Sequence, residues 1–306
     1  MTFNWLFVFT SLGFLASAAL VWQIKTLAAA TTATPAPFIK RVTTGLVIFQ
    51  KTPRLRGLMA LNVVVSLMAA NVYINSIIVA HKTLGGGDQI YLNLLLFFGV
   101  GSIAAALALR PMIQLLTLRG LCLTAAFVAS VVPILLWVSQ GGTMLYLVWA
   151  VLGLGTSIIT TSSGLLLRSS AVEIDRPSVF AAQFSLSHAC WLVTYLLVAW
   201  LGRELGVVVT LWLTGGAAFI FTLTAAPLWP KAADKPLHHT HHKHTHDHMH
   251  THDKHHQHAH IGDEDPEPHQ HPHLHDTLVH SHEFMIDDHH QNWPKRPKGW
   301  LKTAPW

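Results

Sequence analysis

Seven stretches of this chain are apolar for close to the roughly 20 residues that a helix needs to cross a hydrocarbon core about 30 Å thick. They run Trp5–Ile24, Leu58–Ala80, Gln89–Leu109, Gly120–Val138, Met144–Leu167, Phe180–Leu201 and Val207–Leu228. Lipid offers a backbone N–H or C=O no partner, so each stretch is expected as a helix that satisfies its own backbone. The fold class that follows is an all-α membrane protein with about seven transmembrane helices. Charge density agrees: 11% of the residues are charged, against about 25% in a soluble domain. No Lys or Arg precedes the first stretch, which also outruns a usual signal-peptide core, so it reads as a membrane helix.

Lys and Arg fix the expected orientation, because cytoplasmic loops collect them. The loop after the first helix holds Lys25, Lys40, Arg41, Lys51, Arg54 and Arg56. Later loops alternate between Lys82, then Arg110 with Arg119, then none, then Arg168 with Arg176, then Arg203. The richer loops are every second one, so the N-terminus is expected outside a bacterial inner membrane and the C-terminus in the cytosol. Four regions result: a first helix (1–24), a basic cytosolic loop (25–57), a six-helix bundle (58–228) and a tail (229–306). Within the loop, Ala28–Pro37 reads as a small-residue and proline linker. Phe38–Leu58 reads as a basic amphipathic helix on anionic lipid. The net charge of +5 averages +8 over residues 1–230 and −3 over 231–306, so it gives no ground for nucleic-acid binding. Cys122 and Cys190 lie inside apolar stretches, where cysteine behaves as a small hydrophobe.

The tail holds 21 of the 23 histidines. Thirteen fall between His238 and His260: His238, His239, His241, His242, His244, His246, His248, His250, His252, His255, His256, His258 and His260. Neutral imidazole ligates borderline divalent metals. A run this polar cannot bury an apolar core, so it is expected as a disordered tether that captures nickel, cobalt or zinc without holding a tightly bound cofactor. Binding should weaken as pH falls through about 6.5, where imidazole protonates. An acidic patch follows (Asp263, Glu264, Asp265, Glu267), then a second cluster at His269, His271, His273 and His275, and a basic aromatic end, WPKRPKGWLKTAPW.

The stretches TPRLRGLMALNVVVSLMAANVYINSIIVA, LLLFFGVGSIAAALALRP and EIDRPSVFAAQFSLSHACWLVTYLLVAWLG resemble the C-terminal half of major facilitator superfamily transporters. The likeness covers roughly 54–228. It looks most like the bacterial drug- and metal-efflux type, and with its His-rich tail resembles nickel- and cobalt-resistance members. The resemblance implies alternating access, driven in most such exporters by proton exchange. RPMIQLLTLRG stands where that family has a Gly-Asp-Arg signature loop, and keeps Arg110, Arg119 and Gly120 without the acid. The family has twelve helices and binds substrate between its halves near the midplane. A half bundle therefore implies a second half on another chain, self-association, or a truncated product.

Polar groups inside the membrane are the candidate transport path, since they are costly there. Asn71 and Asn75 share a helix face, read either as substrate-facing or as an interhelical clamp worth about 1 kcal/mol. Gln183, Ser187, Cys190 and Thr194 form a stripe with His188 beside it. His188 reads as a proton relay or transient ligand, or as a neutral histidine bonded to a nearby serine or carbonyl. Thr156, Thr160, Thr161, Ser162 and Ser163 are path-lining candidates, or bond the preceding turn. Gly99, Gly101, Gly153 and Gly155 read as close-packing positions. Asp175 and Arg176 are a candidate gating pair. No nucleophile–base pair or phosphate loop points to an enzyme. The leading expectation is metal efflux. The alternatives are efflux of a small organic compound, or a metal-binding membrane protein or transporter fragment that transports nothing.

Overall fold

The computed structural model of the chain describes residues 3–23, 37–137, 142–234, 237–241, 244–250, 269–275, 278–282, 284–286 and 292–294. The expected linker 28–37 (except Pro37), His242, His252 to His260, the acidic patch and most of the aromatic end lie outside the described residues. The chain forms two units, Met1–Lys40 and Arg41–Trp306. In the first, α1 (Phe3–Gln23) is apolar throughout and is exposed from Phe7 to Gln23.

α2 (Phe38–Lys51) stops short of the expected Leu58. Thr52 precedes Pro53 and is extended, with φ −90° and ψ 114°, because the proline ring clashes with a helical residue before it. Pro53 then opens α3 (Pro53–Ala70), where its missing N–H is no loss. The helix continues through a π turn at Asn71–Asn75, a short α4 (Ser76–Ile78) and a second π turn at Val79–Thr83. α5 (Gly87–Leu115), α6 (Leu118–Trp137), α7 (Gly142–Ser170) and α8 (Arg176–Leu228) complete the helical part.

Four helices are long and apolar enough to cross a membrane: Pro53–Lys82, Gly87–Leu115, Met144–Ser170 and Glu173–Leu228. Among the described residues these four reach that length, against the seven spans expected. α1, of 21 residues, and α6, of 20, are further apolar helices, and the sixth and seventh expected segments run together in α8. At 1.5 Å per residue, 53 residues would span about 80 Å, far beyond a hydrocarbon core. α8 is broken at Gly206, where φ 78° and ψ 168° are conformations that glycine alone adopts readily.

α3 is the central element. Leu55, Leu58, Leu61 and Val64 are at most 1% exposed, and the helix packs chiefly on α8 and α7. α5 and α7 meet backbone to backbone. A Cβ at Gly101 would lie 2.0 Å from the Ala150 carbonyl oxygen, and one at Gly153 would lie 2.0 Å from that of Phe98. Gly155 meets Ala129 of α6, whereas Gly99 faces open space and so takes no part in the close packing. Two arginines close one end of the bundle. Arg54 donates to the Ser169 carbonyl in the last turn of α7, and Arg119 to the Ala226 and Trp229 carbonyls at the end of α8. Both satisfy helix C-terminal carbonyls that have no partner within their helix, where a cation also complements the dipole.

Past α8, Trp229 is fully buried and donates to Asp234 at 2.8 Å. Four short segments of the tail are described. β1 (Leu237–His241) pairs antiparallel with β4 (Leu278–His282), and β2 (His244–His250) with β3 (His269–His275). The ribbon returns to the bundle at Phe284 and Ile286, both about 5% exposed, with Trp293 edge-on to Phe284 at 5.0 Å. Arg54 also donates to the Phe284 carbonyl, at 3.3 Å.

Candidate functional site

A cleft of about 270 Å³ opens within the membrane-length helices, lined by Val65, Ala69, Tyr73, Phe98, Ser102, Thr156, Ser157, Thr160 and Trp191. One wall carries hydroxyls, because α5 and α7 approach closely enough to share them. Ser157 donates to the Ser102 carbonyl at 2.9 Å, and Ser102 to the Gly153 carbonyl at 3.2 Å. Thr156 and Thr160 each donate to the carbonyl four residues back, at 2.8 Å. Since every one of these O–H groups is spent on backbone, the wall offers lone pairs and accepts hydrogen bonds or a cation. Of the hydroxyl residues expected to line a path, Thr156 and Thr160 reach the cleft; Thr161, Ser162 and Ser163 are not among its lining.

The aromatic lining is Tyr73, Phe98 and Trp191, and Trp191 belongs to a longer column of rings. Phe184, His188, Trp191 and Tyr195 recur at helical spacing along α8, with successive ring centroids 3.9, 5.9 and 5.7 Å apart. Tyr73 continues the column from Tyr195 at 6.4 Å and reaches Phe98 at 6.2 Å. The polar stripe on the same helix masks this one in the sequence, although the four-three-four spacing of the rings is visible in the letters.

Asn71, Asn75, Gln183, Ser187 and His188 are not among the cleft's lining. Asn71 donates to the Leu67 carbonyl at 2.8 Å and to Thr214 Oγ1 of α8 at 2.9 Å, and Asn75 donates to Asn71 Oδ1 at 2.8 Å. Asn75 Oδ1 is buried and accepts no hydrogen bond among the described residues. Gln183 and Asn62 pair reciprocally, with both bonds at 3.0 Å. The two halves of α8 are thus stitched to one helix line, the first through Gln183 and the second through Thr214. Ser187 donates to the Phe184 carbonyl at 3.0 Å. His188 Nδ1 lies 2.8 Å from the same carbonyl, its side chain is exposed, and it stands beside the cleft's Trp191. Asp175 ends the 3₁₀ turn Glu173–Asp175 and Arg176 begins α8, both half-buried, with Arg176 Nε lacking a partner among the described residues. No three His, Cys, Asp or Glu side chains gather as a metal site among the described residues.

Arg54 and Arg119 were expected only as loop charges that orient the chain. Their capping roles were hidden because the carbonyls they reach are 107 to 115 residues away in sequence. Comparison with protein-family models, with curated proteins and with solved structures finds no match.

Proposed function

We propose that this chain is a transporter component of major facilitator type that exports a divalent metal, nickel or cobalt before zinc, across a bacterial inner membrane. The tail captures cytosolic ion and raises its local concentration, to the order of millimolar for a short tether, beside the helices. The observation that carries the reading is the placing of 21 histidines directly after a block of membrane-length helices. About seven spans, alternating access and proton coupling belong to the same proposal. In this proposal Asn71, Asn75, Gln183, Ser187 and His188 supply the path. Asp175 and Arg176, at the start of α8, supply the gate.

A second reading is favoured by the cleft itself. Hydroxyl and aromatic walls without a carboxylate suit a small organic compound, its apolar body on the rings and its donors on the lone pairs. The test is metal accumulation in cells expressing the chain, against a copy lacking residues 231–306, with nickel, cobalt and zinc each supplied. Metal efflux requires lower accumulation with the intact chain and loss of that effect in the shortened one. Accumulation equal to that of empty cells for both, with a second transporter half co-expressed, overturns the metal reading in favour of the organic substrate.

A further inference from the structure

The cleft's hydroxyls are held in place before any ligand arrives. Ser157 and Ser102 bond across α7 and α5, and Thr156 and Thr160 bond back along α7. All four oxygens are thereby fixed, with their protons committed to backbone carbonyls. Along α7 they step outward from buried Thr156 through half-buried Ser157 to exposed Thr160. The rings are braced as well. Trp191 stands between His188 and Tyr195, with centroids 5.9 and 5.7 Å away, and Tyr73 meets Phe98 edge-on at 6.2 Å. Groups fixed in advance lose little freedom when a ligand binds.

The chemistry of the lining selects a ligand class. Three rings offer flat apolar surface, on which an aromatic ligand can take the offset or edge-on arrangements that rings prefer. The hydroxyl oxygens accept a hydrogen bond and have no proton left to give, so the ligand brings a donor. Tyr73 O–H and Trp191 Nε1–H are the donors that the lining itself holds. A hydroxyl on the ligand matches both sets, since it donates and accepts. Charge decides the rest. Among the described residues that line the cleft there is no Asp, Glu, Lys, Arg or His. A charge taken out of water without an opposite charge costs more than a cation–π contact returns. The ligand is therefore neutral. The cleft's volume, about 270 Å³, lies just under the roughly 300–1,000 Å³ usual for drug-sized ligands, which limits it to one or two rings.

We infer that the cleft is a binding site for a small neutral aromatic alcohol, a phenol or naphthol. Its ring lies against Tyr73, Phe98 and Trp191, and its O–H donates to the hydroxyls of α7. This site rests on the organic-substrate reading above, and goes beyond it by naming the ligand class and the acceptors. No histidine of the tail takes part, so binding in the cleft stands apart from metal capture. Thr160 is the acceptor that can be removed most cleanly. Its own hydrogen bonds stay within α7, so losing its oxygen breaks no hydrogen bond between helices.

The experiment is equilibrium dialysis of the full chain in lipid nanodiscs at pH 7.0, with empty nanodiscs measuring what dissolves in lipid. The probes are 2-naphthol, naphthalene, which lacks the donor, and 2-naphthylmethylamine, which is a cation at that pH. The expected result is saturable binding of 2-naphthol, about one per chain, tighter than that of naphthalene or of the cation. Thr160→Val should weaken 2-naphthol about fivefold, the loss of one hydrogen bond, and leave naphthalene unchanged. Thr160→Ser keeps the oxygen and should stay within about twofold of the unaltered chain. Thr161→Val, next in sequence but outside the lining, should have no effect. Tighter binding of the cation than of 2-naphthol overturns the neutral class and leaves an organic substrate standing. Naphthalene bound as tightly as 2-naphthol, or a Thr160→Val variant that binds 2-naphthol as the unaltered chain does, overturns recognition by the hydroxyls. No saturable binding of any of the three overturns both this site and the organic-substrate reading of the cleft.

Discussion

Asn71 is the residue on which the polar interior of the bundle turns. It spans from its own helix to Thr214 of α8 and accepts from Asn75, so one side chain holds two others in place. Interhelical hydrogen bonds in membranes are worth about 0.6 kcal/mol on average and up to about 1.7. Asn71→Ala removes the bond to Thr214 and leaves the Asn75 amide without its acceptor, so it should cost about 1–2 kcal/mol. Thr214→Val, which keeps shape and loses one acceptor, should cost about 0.6. Denaturant unfolding in micelles measures both, and equal losses would show that Asn75 gains nothing from Asn71. The letters gave the shared face of Asn71 and Asn75, since four residues along a helix is local geometry. They did not give Thr214 or Gln183's tie to Asn62, because those contacts depend on how α8 lies against α3. The open Asn75 carbonyl lies within a π turn, the kind of helix irregularity that recurs at functional sites.

Helix against helix, small residues decide how near two backbones come. Lipid does not drive apolar faces together, so close packing carries the association. Gly101 and Gly153 each stand against a carbonyl of the opposite helix, with no room for a methyl, and Gly99 does not. Gly153→Ala must push α7 from α5 and disturb the Ser102 and Ser157 bonds that build the cleft's hydroxyl wall. The expected outcome is a fall of several degrees in the melting temperature of the micelle-bound protein, with Gly99→Ala within about 1 °C of the unaltered chain. A similar fall for both would mean that the contact is soft. The four glycines were equal in the sequence; only the rotation of α5 about its axis separates Gly99 from Gly101. Apolar length located most of the helices, but not the extended Thr52 that separates α2 from α3, although the proline after it was the signal. Alternation of histidine with other polar residues carries no apolar face from which to read a strand.

Taken whole, the molecule holds its histidine segment at two points on one end of the bundle. The chain leaves through buried Trp229, tied to Asp234, and returns through buried Phe284 and Ile286, where Arg54 joins the tail to the end of α7. A tether fixed at one point would sweep a volume set by its length, whereas one fixed at both ends keeps its ligands near the bundle and raises their effective concentration there. If capture by the tail feeds export, the return anchor matters as well as the histidines. Replacing Phe284 and Ile286 together by alanine removes apolar packing worth several kcal/mol from that anchor. The helices themselves are held by α3's own contacts and should stay folded. The expected result is unchanged nickel binding per chain in detergent, faster tryptic cleavage in the tail, and metal accumulation in cells shifted toward that of the chain lacking residues 231–306. Accumulation equal to that of the unaltered chain, despite the faster cleavage, would show that capture works at the end of a free tether and that the anchor serves stability alone.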